Sequence, residues 1–206
     1  MTPTDPLDAR PGTPVFPIVI SGPSGVGKTV LIERLLKREP WLVCSISATS
    51  RRPRHYETDG VHYHFKSDEQ FEALIKADGL LEWARVHEHY YGTPKAPLEA
   101  NLAADRGVVM NIDVQGGILI RGARPDAVLI FILPPSMAVL EARLRRRASD
   151  AEEEIQRRLT NARGEIAASP AYDYLVVNAE LDEAVERVRD VLRAERFRTG
   201  RLIQGS

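Results

Sequence analysis

Five short runs of consecutive apolar residues punctuate the chain. They are Phe16-Pro17-Ile18-Val19-Ile20, Leu42 to Ile46, Val108 to Ile112, Ala127 to Leu133 and Tyr174 to Val177. None alternates with polar residues, which is the pattern of strands in a parallel sheet covered on both faces. Pro17 fits such a strand only near its start. Between the runs, apolar residues recur at helical spacing. One helix passes through Leu31, Leu35 and Leu36 and stops before Pro40. Others are expected over Ala96–Asp105, Ser136–Arg146, Ala151–Ala168 and Leu181–Arg196. The last places Leu181, Val185, Val188 and Leu192 on one face. Strand and helix alternate, so the expected fold is α/β, a parallel sheet with helices on both faces.

The alternation breaks between Ser47 and about Thr93, where the chain is polar, aromatic and irregular. Strands are expected at Val61–Phe65 and Leu80–Val86, with a short helix between them opened by the capping box Ser67-x-x-Gln70. This reads as an inserted α+β subdomain. A second polar stretch, Arg143–Glu154, reads as a helix–loop–helix flap with Asp150 and Glu153 as its capping box. The expected division is an N-terminal arm over 1–14 and one domain over 15–206. Its core covers about 15–46 and 94–206, its insertion 47–93 and its lid 143–160. There are no internal repeats.

Composition narrows the function classes. The formal net charge is −1, which gives no overall field for nucleic acid or an anionic membrane. The single cysteine, Cys44, excludes a disulfide framework and a Cys-rich zinc site. No apolar run approaches the ~18 residues of a membrane span. The first residues lack the basic-then-apolar pattern of a signal peptide, so a cytoplasmic protein is expected. Monomer and homo-oligomer both remain open. Basic residues are 23 Arg against 5 Lys, and Arg is the residue suited to bidentate phosphate contacts.

Gly22-Pro23-Ser24-Gly25-Val26-Gly27-Lys28-Thr29 matches G-x-x-x-x-G-K-[ST], between an apolar strand and an amphipathic helix. Its backbone N–H groups can turn inward around phosphate oxygens, with the helix dipole behind them. Lys28 would reach the β/γ-phosphates and the Thr29 hydroxyl would ligate Mg²⁺. Asp113 ends the third apolar run, where a carboxylate can hold the metal or its water shell; a strand-end turn ahead of Gly116-Gly117 is the plainer alternative. Arg51 and Arg54 flank a proline and could clamp a second phosphate, although spacing alone favours a solvated basic turn. The pairs His62/His64 and His87/His89 lack a third ligand type and read as surface or subdomain histidines.

Taken jointly, several segments resemble the guanylate kinase family. They are the phosphate loop, Ser47-Ala48-Thr49-Ser50-Arg51-Arg52-Pro53-Arg54, Gly60-x-x-Tyr63-x-Phe65, Leu81-Glu82-Trp83-Ala84, Tyr90-Tyr91-Gly92-Thr93, Ile112-Asp113-Val114-Gln115-Gly116 and Phe131-Ile132-Leu133-Pro134-Pro135-Ser136. The resemblance runs from about Phe16 to Arg196. It implies phosphoryl transfer from ATP to GMP with Mg²⁺. It implies that Arg51, Arg54, Tyr63 and Tyr91 hold the GMP phosphate. Ser47, Glu82, Gly92, Thr93 and Asp113 would complete the GMP site, with Ser47, Glu82 and Thr93 reading the base. Arg147 and Arg158, with Lys28, Arg54 and Asp113, would act on the transferring group, and Asn178 would lie near the adenine. Arg143 and Arg145 could assist, whereas Arg146 and Arg157 read as a solvated face.

Guanine presents N1–H and N2–H₂ on one edge, a donor pair that one carboxylate accepts and adenine lacks. Taken alone, Glu82 would read as a strand-edge charge. Two departures from the family pattern stand out: Asn111 replaces an acid, and the flap turn Arg146-Arg147-Ala148 lacks glycine. The rival readings are a P-loop kinase for another phosphorylated acceptor and a guanylate-kinase-like binding module without turnover. Ser47 and Glu82 oppose the first. The intact Lys28 and Thr29 oppose the second.

Overall fold

The computed structural model describes residues 14–86, 88–146 and 151–204. Most of the N-terminal arm, His87, Arg147 and Asp150 therefore lie outside the described residues.

Five parallel strands form the main sheet: β1 (Pro17–Ser21), β2 (Leu42–Cys44), β7 (Gly107–Asn111), β8 (Val128–Leu133) and β9 (Tyr174–Val177), in the order β2-β7-β1-β8-β9. β1 is central, and all five of its residues are buried, as its continuous apolar run requires. On one face, α1 (Lys28–Arg38) and α7 (Leu181–Arg196) pack Leu31, Leu35, Val185 and Val188 against Ile18, Ile20 and Ile130. On the other, α3 (Lys95–Ala103) and α4 (Val114–Ala123) bury Leu98 and Ile120 against Val19, Met110 and Leu129. This is the expected α/β architecture, with strand limits one or two residues from those read off the runs. β2 is shorter than expected, ending at Cys44.

A second, four-stranded sheet has the order β4-β3-β6-β5, from β3 (Ala48–Thr49), β4 (His64–Phe65), β5 (Leu80–Val86) and β6 (His89–Pro94). α2 (Asp68–Lys76) packs Phe71 beneath it, stacked on Tyr90 at 5.2 Å. The capping box is present: Ser67 Oγ accepts from the Gln70 N–H, and Gln70 Oε1 from the Ser67 N–H. Of the expected strand Val61–Phe65 only the last two residues join the sheet, and Tyr63 makes an isolated bridge to Asp59. Its start is a turn in which His62 Nδ1 accepts the Thr58 N–H at 3.0 Å.

The strands β3 and β6, the helix α4 and a short C-terminal helix escape the hydrophobic pattern. α4 has two glycines in its first turn, which interrupt its apolar periodicity. The short α8 (Thr199–Gln204) follows α7. The antiparallel pair α5 (Met137–Arg145) and α6 (Glu152–Ala167) encloses its own cluster of Leu140, Leu144, Ile155, Leu159 and Ala162. The N-cap of α6 is Ala151, which makes no side-chain cap. No helix among the described residues is long and apolar enough to cross a membrane.

Candidate active site

Between β1 and α1 the chain bends through Gly22, Gly25 and Gly27, all at positive φ, a region closed to most L-residues. Space matters as much as angle. A Cβ on Gly22 would meet the Ile132 carbonyl, and one on Gly25 would lie 2.7 Å from Leu144 Cδ2. The α5/α6 pair thus rests directly on the phosphate loop. Asn178, buried after β9, donates Nδ2–H to the Val26 carbonyl at 2.8 Å. Arg143 donates to the Val26 and Asn178 carbonyls at 3.3 and 3.0 Å. Both brace the loop from behind. They also line an open cavity of about 350 Å³ with Gly25, Val26, Gly27, Val30 and Arg146, and Arg146 is solvent-exposed, as expected.

The Lys28 ammonium folds back onto the Gly22 and Pro23 carbonyls. Burial lowers its pKa, and the carboxylates of Glu165 and Asp113 oppose that shift. Asp113 is the N-cap of α4, its Oδ1 accepting the Gly116 N–H at 2.7 Å. Its turn is pinned from below. Ser21 Oγ, at the end of β1, donates to the carbonyls of Ile112 and Asp113 at 3.0 and 3.2 Å, a bifurcated contact. The Tyr172 hydroxyl donates to the Val114 carbonyl at 3.3 Å, in space that a side chain on Gly117 would fill.

The second sheet stands over the carboxyl ends of these strands. Between it and β7 lies a cavity of about 250 Å³ lined by Ser47, Tyr63, Glu82, Tyr91, Gly92, Asn111 and Asp113. Ligands of open α/β sheets bind at such strand ends. Within β5, Glu82 points inward and its neighbour Trp83 outward, as strand alternation requires. Buried Thr93 donates its hydroxyl to Glu82 Oε1 at 2.6 Å. Burial raises the Glu82 pKa, nearby Asp113 adds to the rise, and the Thr93 bond opposes it.

At the cavity's outer end Arg51 stands 5.7 Å from the Tyr63 ring centre, with its guanidinium hydrogen-bonded to Tyr91. Arg51 also pairs with Glu57 at 2.8 Å, and Glu57 accepts the Arg54 N–H. These contacts hold the Glu57 carboxyl down at about 2. Arg54 is exposed and bonds Tyr56. Arg158 lies on α6, half-buried, with Nε 3.1 Å from Glu154. Arg145 bonds Glu141 and Glu152 on the surface of the α5/α6 pair. Arg147 is outside the described residues. Sequence reading missed Glu57, Ser21 and Tyr172. A carboxylate three residues after Arg54 was a usable signal for the first; no local signal marked the other two.

A family model described as guanylate kinase matches residues 15–195. The guanylate kinase of Caldanaerobacter subterraneus is 46% identical over 184 residues, covering 89% of either chain. That of Rhodospirillum rubrum is 49% identical over 187 residues, covering 90% of this chain and 86% of its own. The crystal structure of guanylate kinase from Anaplasma phagocytophilum superposes with a TM-score of 0.74 at 34% identity, covering 92% of this chain and 90% of that one. The chain belongs to the guanylate kinase family.

Proposed function

We propose that this protein transfers the γ-phosphoryl group of ATP to GMP, and to dGMP, giving ADP and GDP. The observation that carries the reading is the Glu82–Thr93 pair in the cavity beside Asp113. A half-buried carboxylate with one oxygen satisfied by a hydroxyl still has acceptor capacity for the two N–H groups of guanine. Adenine would leave it unpaired, at a cost of about 1–3 kcal/mol or more. Ser47 and Gly92 line the same cavity. Arg51, Tyr63 and Tyr91, already in mutual contact, are assigned the GMP phosphate, with Arg54 closing from solvent. An arriving phosphate would compete with Glu57 for Arg51.

The loop Gly22, Pro23, Ser24, Gly25, Val26, Gly27, Lys28 and Thr29 is assigned the ATP phosphates, and the cavity at Asn178 the adenine side. Thr29 and Asp113 offer only oxygen donors. That suits a hard cation such as Mg²⁺, which takes its other ligands from phosphate and water; bound there, it would neutralise charge on the phosphates. Arg147 and Arg158 are assigned to the lid that closes over the transferring group. Arginines of this kind can accelerate transfer ~10³-fold or more. The second sheet serves as the acceptor subdomain and α5/α6 as the lid. Small-molecule nucleotides in the cytoplasm are the partners this reading requires.

The test is ADP release from ATP across a panel of nucleoside monophosphates. GMP and dGMP should turn over far faster than AMP, CMP or UMP. Equal rates with AMP, or tight binding of both nucleotides without turnover, would overturn the reading.

A further inference from the structure

We propose that Leu81 is a positioning residue for base recognition. As the extra residue of a bulge in β5, it pins the strand to the main core and so fixes the aim of the Glu82 carboxylate. The inference rests on the reading of Glu82 as the group that meets guanine.

The register of the second sheet is the first observation. Leu80 pairs with Pro94 and Trp83 with Gly92, so three steps along β5 match two along β6. Leu81 and Glu82 therefore both stand opposite Thr93, the two-against-one arrangement of a β-bulge. Beyond the bulge the faces alternate regularly. Ala84 and Val86 line the cavity with Glu82, whereas Arg85 lies over the Tyr90 ring. Before the bulge, Leu80 is buried with Ala48 and Phe71 on the α2 side of the sheet. Leu81, the next residue, packs instead against the main-sheet cluster that holds Met110, Ile112 and Val114. Two consecutive residues enter two different cores.

An unbroken strand would place Glu82 on the same face as Leu80, toward Phe71. The bulge turns it to the opposite face, where the Thr93 hydroxyl holds Oε1 at 2.6 Å. It also brings the two backbones close: a Cβ on Gly92 would lie 2.8 Å from the Glu82 carbonyl oxygen. Thr93 restrains one carboxylate oxygen and belongs to the second sheet itself. Leu81 supplies the reference to the rest of the site, because Ile112 and Val114 of the same cluster flank Asp113. One packed core therefore frames both carboxylates. Two simultaneous hydrogen bonds to N1–H and N2–H₂ of guanine tolerate little displacement, so this frame decides whether both form.

Inosine monophosphate separates aim from stability, since its base keeps N1–H and lacks the N2 amine. Calorimetric titration with GMP and with inosine monophosphate is run on wild type, Leu81→Met, Leu81→Ala and Leu102→Ala. Leu102, on α3, packs against the same cluster but does not line the cavity. Leu81→Ala should raise the Kd for GMP about tenfold and that for inosine monophosphate far less, which narrows the preference for GMP. Leu81→Met, which refills the core, should restore most of that preference. Leu102→Ala should lower the melting temperature and leave the preference intact. If Leu81→Ala does not fold, Leu81→Val should narrow the preference in the same direction by a smaller factor. An unchanged preference in the folded Leu81 variant would overturn the proposal, and so would equal narrowing in Leu102→Ala. A wild type that binds both nucleotides equally removes Glu82 from base reading and the proposal with it. A wild type that prefers GMP but does not phosphorylate it overturns the functional reading alone.

Discussion

Glu82, the residue proposed to read the base, carries a cost to its own fold. Its pKa is raised by burial, so the ionised form is less comfortable in the native state than in the unfolded chain. With a raised native pKa, the stabilising contribution is complete below the unfolded value and is lost as pH rises through the native one. Glu82→Gln should therefore gain stability over wild type near neutral pH, with the gap closing toward pH 4, as thermal melts would show. The same change should cost GMP about 2–4 kcal/mol in kcat/KM and give AMP little. Unchanged GMP kinetics would remove Glu82 from the base site. Asn111, exposed beside Asp113 in the same cavity, keeps the shape of an acid without its charge. Asn111→Asp should shift the Mg²⁺ dependence of kcat to lower concentration by at most ~1–2 kcal/mol, at an effective dielectric near 20. A wild type inactive until that change is made would show that the amide is disabling.

At the scale of elements, the turn from β7 into α4 decides where Asp113 points. It is set by Asp113 capping its own helix and by Ser21 and Tyr172 gripping the backbone on either side. Gly117 leaves the space Tyr172 needs. Gly117→Ala should cost about 1–3 kcal/mol by overpacking. Adding Tyr172→Phe should restore much of it, because the two changes share one contact and cannot be additive. Melting temperatures of the four proteins in this cycle give the answer, and additive losses would show that the hydroxyl is not what crowds Gly117. Gly117, one of the two glycines that hid α4 from the apolar pattern, is thus explained by a partner 55 residues further on.

For the whole molecule, two anionic substrates must be brought in line across the gap between the phosphate loop and the second sheet. The α5/α6 pair touches the loop through Leu144, and the second sheet faces α4 through Glu82 and Gly116. Rigid-body movement of both would exclude water when substrates are in place. Solution scattering should show a smaller radius of gyration with GMP and a non-hydrolysable ATP analogue together than with neither. Identical profiles would rule out closure of this kind.

The continuous apolar runs were enough for five parallel strands, because burial on both faces of a sheet leaves a local signature, and helical spacing marked the α-helices between them except α4. The phosphate loop was legible for the same reason: strand, glycines, lysine and helix are adjacent in sequence. The proposed acceptor site was legible only through resemblance, since Ser47, Glu82 and Asp113 are dozens of residues apart and no single segment shows them converging. Tertiary structure alone decided that Ser21 and Tyr172 hold the Asp113 turn and that Asn178 braces the phosphate loop at Val26. Each is a hydrogen bond between groups far apart in sequence, whose meeting depends on how the sheet and its helices pack. Local propensity fixes which elements form, whereas such contacts exist only once those elements are placed.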